Sequence, residues 1–317
     1  MKRVLVTSRS FGSIDDVPFS ILREAGYEIV HKGRDFDLDE FNRIVPEFDA
    51  LIIGAHKFAP EVVARCRGKL RVVCKNGVGV DNIPLQCCKD NGIVVCNTSH
   101  SNANAVADLA IGLMLAACRG IAMTSRNVKN GQWKTYTGRD LYQKTLGLLG
   151  FGAISRNVAR RARGFDMQVL AYDPYVTEVP DEFKDYVRLV SLEEAVTQAD
   201  FLSLHLPLND ETRGIISAPE MARMKEGAYI INTSRGGTVD EKDLYEAIKS
   251  GHLAGAAMDV TVSEPIEKDN PLLTLDNVTI TPHMGMYTRE SLNLGSTICA
   301  KNCAAAATGG EYIYRVI

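Results

Sequence analysis

The chain has one tryptophan and six histidines among its 317 residues, and no two of its eight cysteines are spaced Cys-x-x-Cys. Without that spacing neither a zinc site nor a redox pair is indicated, and no metal is expected. Cys74 and Cys96 end the apolar runs VVC at 72–74 and 94–96, where thiols serve as small hydrophobes. A disulfide framework is therefore not expected either, which points to a reducing compartment. An excess of charge is also missing: the net charge is -3, and basic residues are scattered apart from RNVARRARG at 156–164. No nucleic-acid or membrane partner follows from that balance. The longest apolar run, AVADLAIGLMLAAC at 105–118, is too short to span a bilayer and contains Asp108. The start, MKRVLVTSRS, lacks the apolar stretch of a signal peptide. The expectation is a soluble cytoplasmic protein.

What is present is a rhythm. Short β-branched runs (VLVT at 4–7, YEIV at 27–30, ALII at 50–53, RVVCK at 71–75, IVVC at 93–96) alternate with helical stretches. Two of these stretches, 18–25 and 84–91, are closed by Gly26 and Gly92. Strand–helix alternation of this kind implies a parallel sheet covered by helices. Residues 101–120 then read as one long helix, followed by a polar arm, NGQWKTYTGRDLYQ at 130–143, that holds the tryptophan. A second series begins at TLGLLG (145–150) and runs through QVLAYD, DFLSLHL, AYIINTS, GAAMDV and NVTIT to residue 281. A last alanine-rich helix covers about 288 to 307. Single cores stop growing near ~250–300 residues, so two domains are expected. The division read from the pattern is 1–99 plus 285–317 and, inserted between, 100–284.

The second series opens with a phosphate-binding pattern. Gly150-Phe-Gly152-Ala-Ile-Ser155 is GxGxxG with serine for the last glycine, and it lies between an apolar strand and a helix. The glycines allow close approach of a pyrophosphate, which the positive end of the helix attracts. Asp173 closes the next strand, where an acid hydrogen-bonds the adenosine ribose hydroxyls and repels a 2′-phosphate, favouring NAD over NADP.

Three later strands each run into a pointed residue: Arg235 before Gly236–Gly237, Glu264 before Pro265, and His283 in TPHMG (281–285). Ligands of open α/β sheets bind outside the carboxyl ends of the strands, so the three can meet in one cleft. There Pro282 stops its strand, and Gly285 is expected to permit the sharp turn that aims His283. Together they suit hydride transfer at a 2-hydroxy or 2-oxo acid. A guanidinium grips carboxylate and carbonyl in a planar fork, an imidazole exchanges the hydroxyl proton, and a carboxylate orients the imidazole.

With GFGAIS, the motifs NGVGVDN (76–82), HLPLNDETRG (205–214), NTSRGGTVDE (232–241), AMDVTVSEP (257–265) and TPHMG make the chain resemble the D-isomer-specific 2-hydroxyacid dehydrogenases along essentially its whole length. That resemblance implies two doubly wound α/β domains, a Rossmann NAD-binding domain inserted into a flavodoxin-like substrate domain. It implies Arg235 as the group that binds and polarises the substrate, with His283 as acid/base paired to Glu264. The backbone of Asn76, Gly77, Val78 and Gly79 would hold the substrate carboxylate. Near the cofactor it places Val78, Gly150, Gly152, Ala153, Ile154, Asp173, Leu206, Pro207, Thr212, Thr233, Ser234, Asp259 and Gly285. It also implies a homodimer built through the 100–145 helix and arm. Ala153 departs from the family, which often has a basic residue there reaching the pyrophosphate.

RVVCKNGVGVDN (71–82) is most similar to the phosphoglycerate dehydrogenases, in which a basic residue at the position of Lys75 meets the substrate phosphate. The expected reaction is therefore 3-phosphoglycerate to 3-phosphohydroxypyruvate, with glycerate/hydroxypyruvate or another small D-2-hydroxy acid as the alternative. A binding protein of another class, resembling the NAD-sensing corepressors, would carry extra tails for partners. Formate dehydrogenases would lack the Glu–His pair.

Overall fold

A computed structural model describes residues 1–317. It divides into two compact units, Met1–Asn102 with Met286–Ile317, and Ala103–Gly285.

The first unit follows the order β1 (Lys2–Val6), α1 (Val17–Glu24), β2 (Tyr27–His31), α2 (Leu38–Ile44), β3 (Ala50–Ile53), α3 (Pro60–Arg65), β4 (Val72–Lys75), α4 (Leu85–Asp90) and β5 (Val94–Cys96). The five strands are parallel in the order β2-β1-β3-β4-β5, the flavodoxin-like arrangement. The chain's last helix, Arg289–Thr308, belongs to this unit, and its Cys299, Ala300 and Cys303 pack with Val4, Val6, Cys74 and Cys96 in one of two cores. The other core, on the opposite face, holds Leu5, Leu51, Ile53, Val73 and Val95. Adjacent positions on one strand thus serve opposite faces, as a sheet covered on both sides requires. Each fully buried Leu, Ile or Phe contributes roughly 1.5–3 kcal/mol.

The second unit contains α5 (Ala103–Cys118), α6 (Ile121–Lys129), β6 (Thr145–Leu149), α7 (Ala153–Arg163), β7 (Gln168–Tyr172), β8 (Val187–Leu189), α8 (Leu192–Gln198), β9 (Phe201–Leu204), α9 (Ala218–Arg223), β10 (Tyr229–Asn232), α10 (Glu241–Lys249), β11 (Gly255–Met258) and β12 (Val278–Ile280), after which α11 (Arg289–Thr308) returns to the first unit. Its seven strands are all parallel, in the order β12-β11-β10-β9-β6-β7-β8. The chain leaves β6 first toward one edge and then toward the other, so the doubly wound switch point lies between β6 and β9. The carboxyl ends of β10, β11 and β12 are immediate neighbours.

Two local readings of the sequence change here. The helix expected over 101–120 is shorter and does not end the helical stretch. Gly120 is left-handed (φ 59°), and α6 begins at once. A side chain at Gly120 would meet the ring of Tyr136, so only glycine makes this corner. The short β8 carried too weak a pattern to be read. No single helix is long and apolar enough to cross a membrane.

Candidate active site

The glycine loop after β6 is built by close approach. Gly150 has φ 89°, and a Cβ there would fall 2.7 Å from the carbonyl oxygen of His205. Gly152 precedes the first turn of α7 in extended conformation, and no side chain caps the helix. A Cβ on Gly152 would meet nothing within 4 Å, so the space beside this residue at the start of α7 is open. Phe151 N–H donates to Asp173 Oδ2 (2.8 Å), and Tyr175 N–H donates to Oδ1 (2.9 Å). Each carboxylate oxygen keeps a second acceptor position. Ser155, at the third motif position, is fully buried, and its hydroxyl meets no protein partner. An open cradle, a helix end with unpaired N–H groups and a carboxylate at the next strand's end fit a dinucleotide, its pyrophosphate on α7 and a ribose at Asp173.

The loop after β9 completes this side. His205 N–H donates to the Leu149 carbonyl (2.8 Å), its Nε2 pairs with Ser203 Oγ (2.9 Å), and its Nδ1 lies 3.5 Å from Thr233 Oγ1. Burial pushes its pKa down to about 3, so the ring is neutral. Thr212 Oγ1 donates to the Pro207 carbonyl (2.6 Å) and closes the turn that follows Leu206. HLPL marked the segment in the sequence, but nothing there singled out His205 as its centre.

The three pointed residues stand on adjacent loops. Asn232, fully buried at the end of β10, shapes the first one. Its Oδ1 accepts from Ser234 N–H and Oγ–H (3.0 and 2.7 Å), and its Nδ2 donates to the Arg235 carbonyl (3.0 Å) and Thr238 Oγ1 (3.1 Å). Arg235 Nη1 donates to the Ser234 carbonyl (2.7 Å). A Cβ on Gly236 would lie 2.0 Å from the Thr261 carbonyl oxygen, so the Arg235 loop presses flush on the loop after β11. That second loop is braced by Glu241, whose carboxylate accepts from Val262 N–H (2.6 Å) and Asn270 Nδ2 (2.8 Å). Neither Asn232 nor Glu241 was apparent from the sequence as a bracing group.

Glu264 Oε2 and His283 Nδ1 are 2.7 Å apart, and Glu264 Oε1 accepts weakly from Thr261 N–H (3.3 Å). A carboxylate at Nδ1 takes the N–H of that nitrogen and leaves Nε2 for another partner. The His283 side chain is 48% exposed, so Nε2 is accessible.

The turn at His283 differs from expectation in one respect. The left-handed residue is His283 itself (φ 51°), and Gly285 has no positive φ. Gly285 is a packing requirement: a Cβ there would come within 3.2 Å of both Asp259 Oδ2 and Val106 Cγ2. What holds the unusual backbone is Asp259, which is 1% exposed. Its carboxylate accepts from Thr281 Oγ1 (2.5 Å), Met284 N–H (2.9 Å) and Gly285 N–H (2.8 Å), while its carbonyl accepts from His283 N–H (2.8 Å).

In the first unit, Lys75 ends β4. Its ammonium donates to the Gly54 carbonyl (2.7 Å) and Asn82 Oδ1 (3.0 Å). Asn82 Nδ2 in turn donates to the carbonyls of Gly54 (3.1 Å) and His56 (2.6 Å). Burial, assisted by the Lys75 charge, lowers the pKa of His56. Of the four amides expected to hold a carboxylate, two are already engaged. Asn76 N–H donates to the Ile53 carbonyl (3.0 Å) and Gly77 N–H to Thr98 Oγ1 (3.1 Å). Val78 and Gly79 remain as donors.

A family model described as D-isomer specific 2-hydroxyacid dehydrogenase, NAD binding domain, matches residues 111–285. The chain is similar to a D-3-phosphoglycerate dehydrogenase of Methanocaldococcus jannaschii, 39% identical over 312 residues, which are 98% of this chain and 58% of that protein. It is also similar to a hydroxypyruvate reductase of Thermotoga maritima, 43% identical over 260 residues, covering 80% of this chain and 83% of that one. A crystal structure of a Thermus thermophilus protein superimposes with a TM-score of 0.91 at 34% identity, covering 99% of this chain and 100% of that one. The chain thus spans little more than half the length of the phosphoglycerate dehydrogenase it matches.

Proposed function

The chain belongs to the D-isomer-specific 2-hydroxyacid dehydrogenase family, and from that premise we propose that it oxidises 3-phosphoglycerate to 3-phosphohydroxypyruvate with NAD. The observation that carries the reading is the 2.7 Å Glu264–His283 pair on loops adjacent to that of Arg235. His283 Nε2 receives the substrate hydroxyl proton, and Glu264 holds the ring and the imidazolium it becomes. Arg235 grips the carboxylate and the oxygen that becomes a carbonyl. The amides of Val78 and Gly79 are assigned the substrate carboxylate. Bound NAD supplies the hydride acceptor, and the open glycine loop and Asp173 are the groups that fit it. Asp173 favours NAD over NADP.

Lys75 is assigned the substrate phosphate. A second reading, with glycerate or hydroxypyruvate as substrate, is favoured by the two protein acceptors its ammonium already serves and by the similarity to a hydroxypyruvate reductase. NADH formation with 3-phosphoglycerate and D-glycerate, for wild type and Lys75→Ala, separates the two. The first reading expects the variant to lose phosphorylated substrate selectively. Equal loss on both substrates removes the phosphate role.

We also propose a homodimer through the α5–α6 segment and arm. Trp133, Tyr142, Ile121 and Val128 are 88%, 57%, 52% and 47% exposed there, apolar surface that a second copy of the chain would cover. Light scattering at the molecular mass of 34.7 kDa would overturn this, and twice that mass is expected. Eight unpaired thiols support a reducing compartment such as the cytoplasm.

A further inference from the structure

The first turn of α7 holds a cation where a helix alone disfavours one. Helix N-termini carry partial positive charge, so arginine is favoured at the other end. Three arginines of α7 follow that rule or are neutralised. Arg160 pairs with Glu182 (2.7 Å), Arg161 pairs with Asp108 (2.5 Å), and Arg163 lies in the last turn over the ring of Tyr186. Arg156 does neither. It is the fourth residue of the helix, no acid stands in that first turn, and no carboxylate pairs with it.

Side chains on a helix lean toward its N-terminus, and Arg156 does so. Its Nε donates to the Phe151 carbonyl (3.1 Å), and its guanidinium lies 5.4 Å from the Phe151 ring centroid. Phe151 is the residue between Gly150 and Gly152. The charge is therefore held at the glycine loop itself, closer to the helix end than its own Cα, with both Nη atoms bound to no protein group. Asp173, at the same loop, is engaged by the amides of Phe151 and Tyr175.

We infer that Arg156 is a cofactor-binding residue whose Nη groups take the pyrophosphate of NAD, an assignment that rests on the NAD reading of this domain. An anion at the loop offsets the conflict between guanidinium and helix end. The Phe151 carbonyl fixes one edge of the fork so that the other edge is presented ready-oriented.

The test is binding, without turnover. NADH fluorescence titration and displacement by ADP-ribose, at low and high salt, are compared for wild type, Arg156→Gln and Arg156→Lys. Arg156→Gln is expected to weaken both ligands by roughly tenfold and to flatten the dependence on salt. Arg156→Lys restores part of the affinity, because charge returns without the fork. The thermal midpoint of the unliganded protein stays near wild type, since a single partly exposed hydrogen bond is lost. If Arg156→Gln binds both ligands within twofold of wild type with an unchanged salt slope, the inference is overturned while the NAD reading stands. If wild type binds neither ligand, both fall.

Discussion

Asp259→Asn is the sharpest perturbation of the site's scaffold. The carboxylate is 1% exposed and accepts three hydrogen bonds, two at Oδ1 and one at Oδ2. Asparagine has nearly the same shape but only one acceptor oxygen. Placed at Oδ1, that oxygen keeps Thr281 and Met284, while the NH2 group faces the Gly285 amide donor to donor. One buried N–H left unsatisfied costs about 1–3 kcal/mol, and the two remaining bonds lose the benefit of a charged acceptor. The sum is about 2–4 kcal/mol. For a unit of this size that lowers the thermal midpoint by roughly 4–16 °C. Thr281→Val deletes a single donor and is expected to cost only about 1 kcal/mol. The same bonds hold His283 in its left-handed turn, so relaxation there misplaces the imidazole, and turnover should fall by ten- to a hundredfold. Calorimetry and steady-state kinetics on the two variants read both effects. An Asp259→Asn protein within about 0.5 kcal/mol of wild type and unimpaired in turnover would refute the argument.

Three other outcomes are expected. His283→Asn should lower kcat by roughly 10²–10⁴ while leaving the NADH dissociation constant within a few fold; a loss confined to NADH binding would contradict the acid/base role. Ser155→Ala removes a buried hydroxyl without a protein partner and should raise stability by about 1 kcal/mol in urea; a lower midpoint would show that the hydroxyl is satisfied. His205 has its pKa lowered from 6.5 to about 3. Between those values the unfolded chain binds more protons, so stability rises with pH across that window and is lost as the pH is lowered from 6.5 toward 3, by up to about 1.4 kcal/mol per pH unit. His205→Gln should flatten that part of the stability profile, and an unchanged slope would place the acid sensitivity elsewhere.

Much of the fold was legible because both sheets are parallel and covered on both faces. Their strands are therefore short β-branched runs, and ALII at 50–53 coincides with β3 residue for residue. β8 escaped notice because VRL is three residues long with one exposed. In the sheet after Ala103, the strand ends that carry chemistry were visible because glycine and proline punctuate them. The supports were not: Asn232, Glu241 and the carboxylate of Asp259 act through hydrogen bonds that depend on three-dimensional register. The assignment of the turn to Gly285 failed for the same reason. Glycine signals φ freedom in a sequence, yet here its small size is what matters, and Asp259 holds the strained φ at His283. The amides of Asn76 and Gly77 illustrate a further limit, because a motif shows where a loop is but not which of its N–H groups are already bonded.

The central claim is that this chain removes a hydride and a proton from a D-2-hydroxy acid using NAD. Absorbance of NADH, followed with purified protein, NAD and in turn D-3-phosphoglycerate, D-glycerate and D-lactate, tests it most directly. The expected result is NADH formation that is abolished by Arg235→Ala, fastest with D-3-phosphoglycerate and slow with the L-isomers. NADH binding without turnover of any 2-hydroxy acid, in either direction, would contradict it.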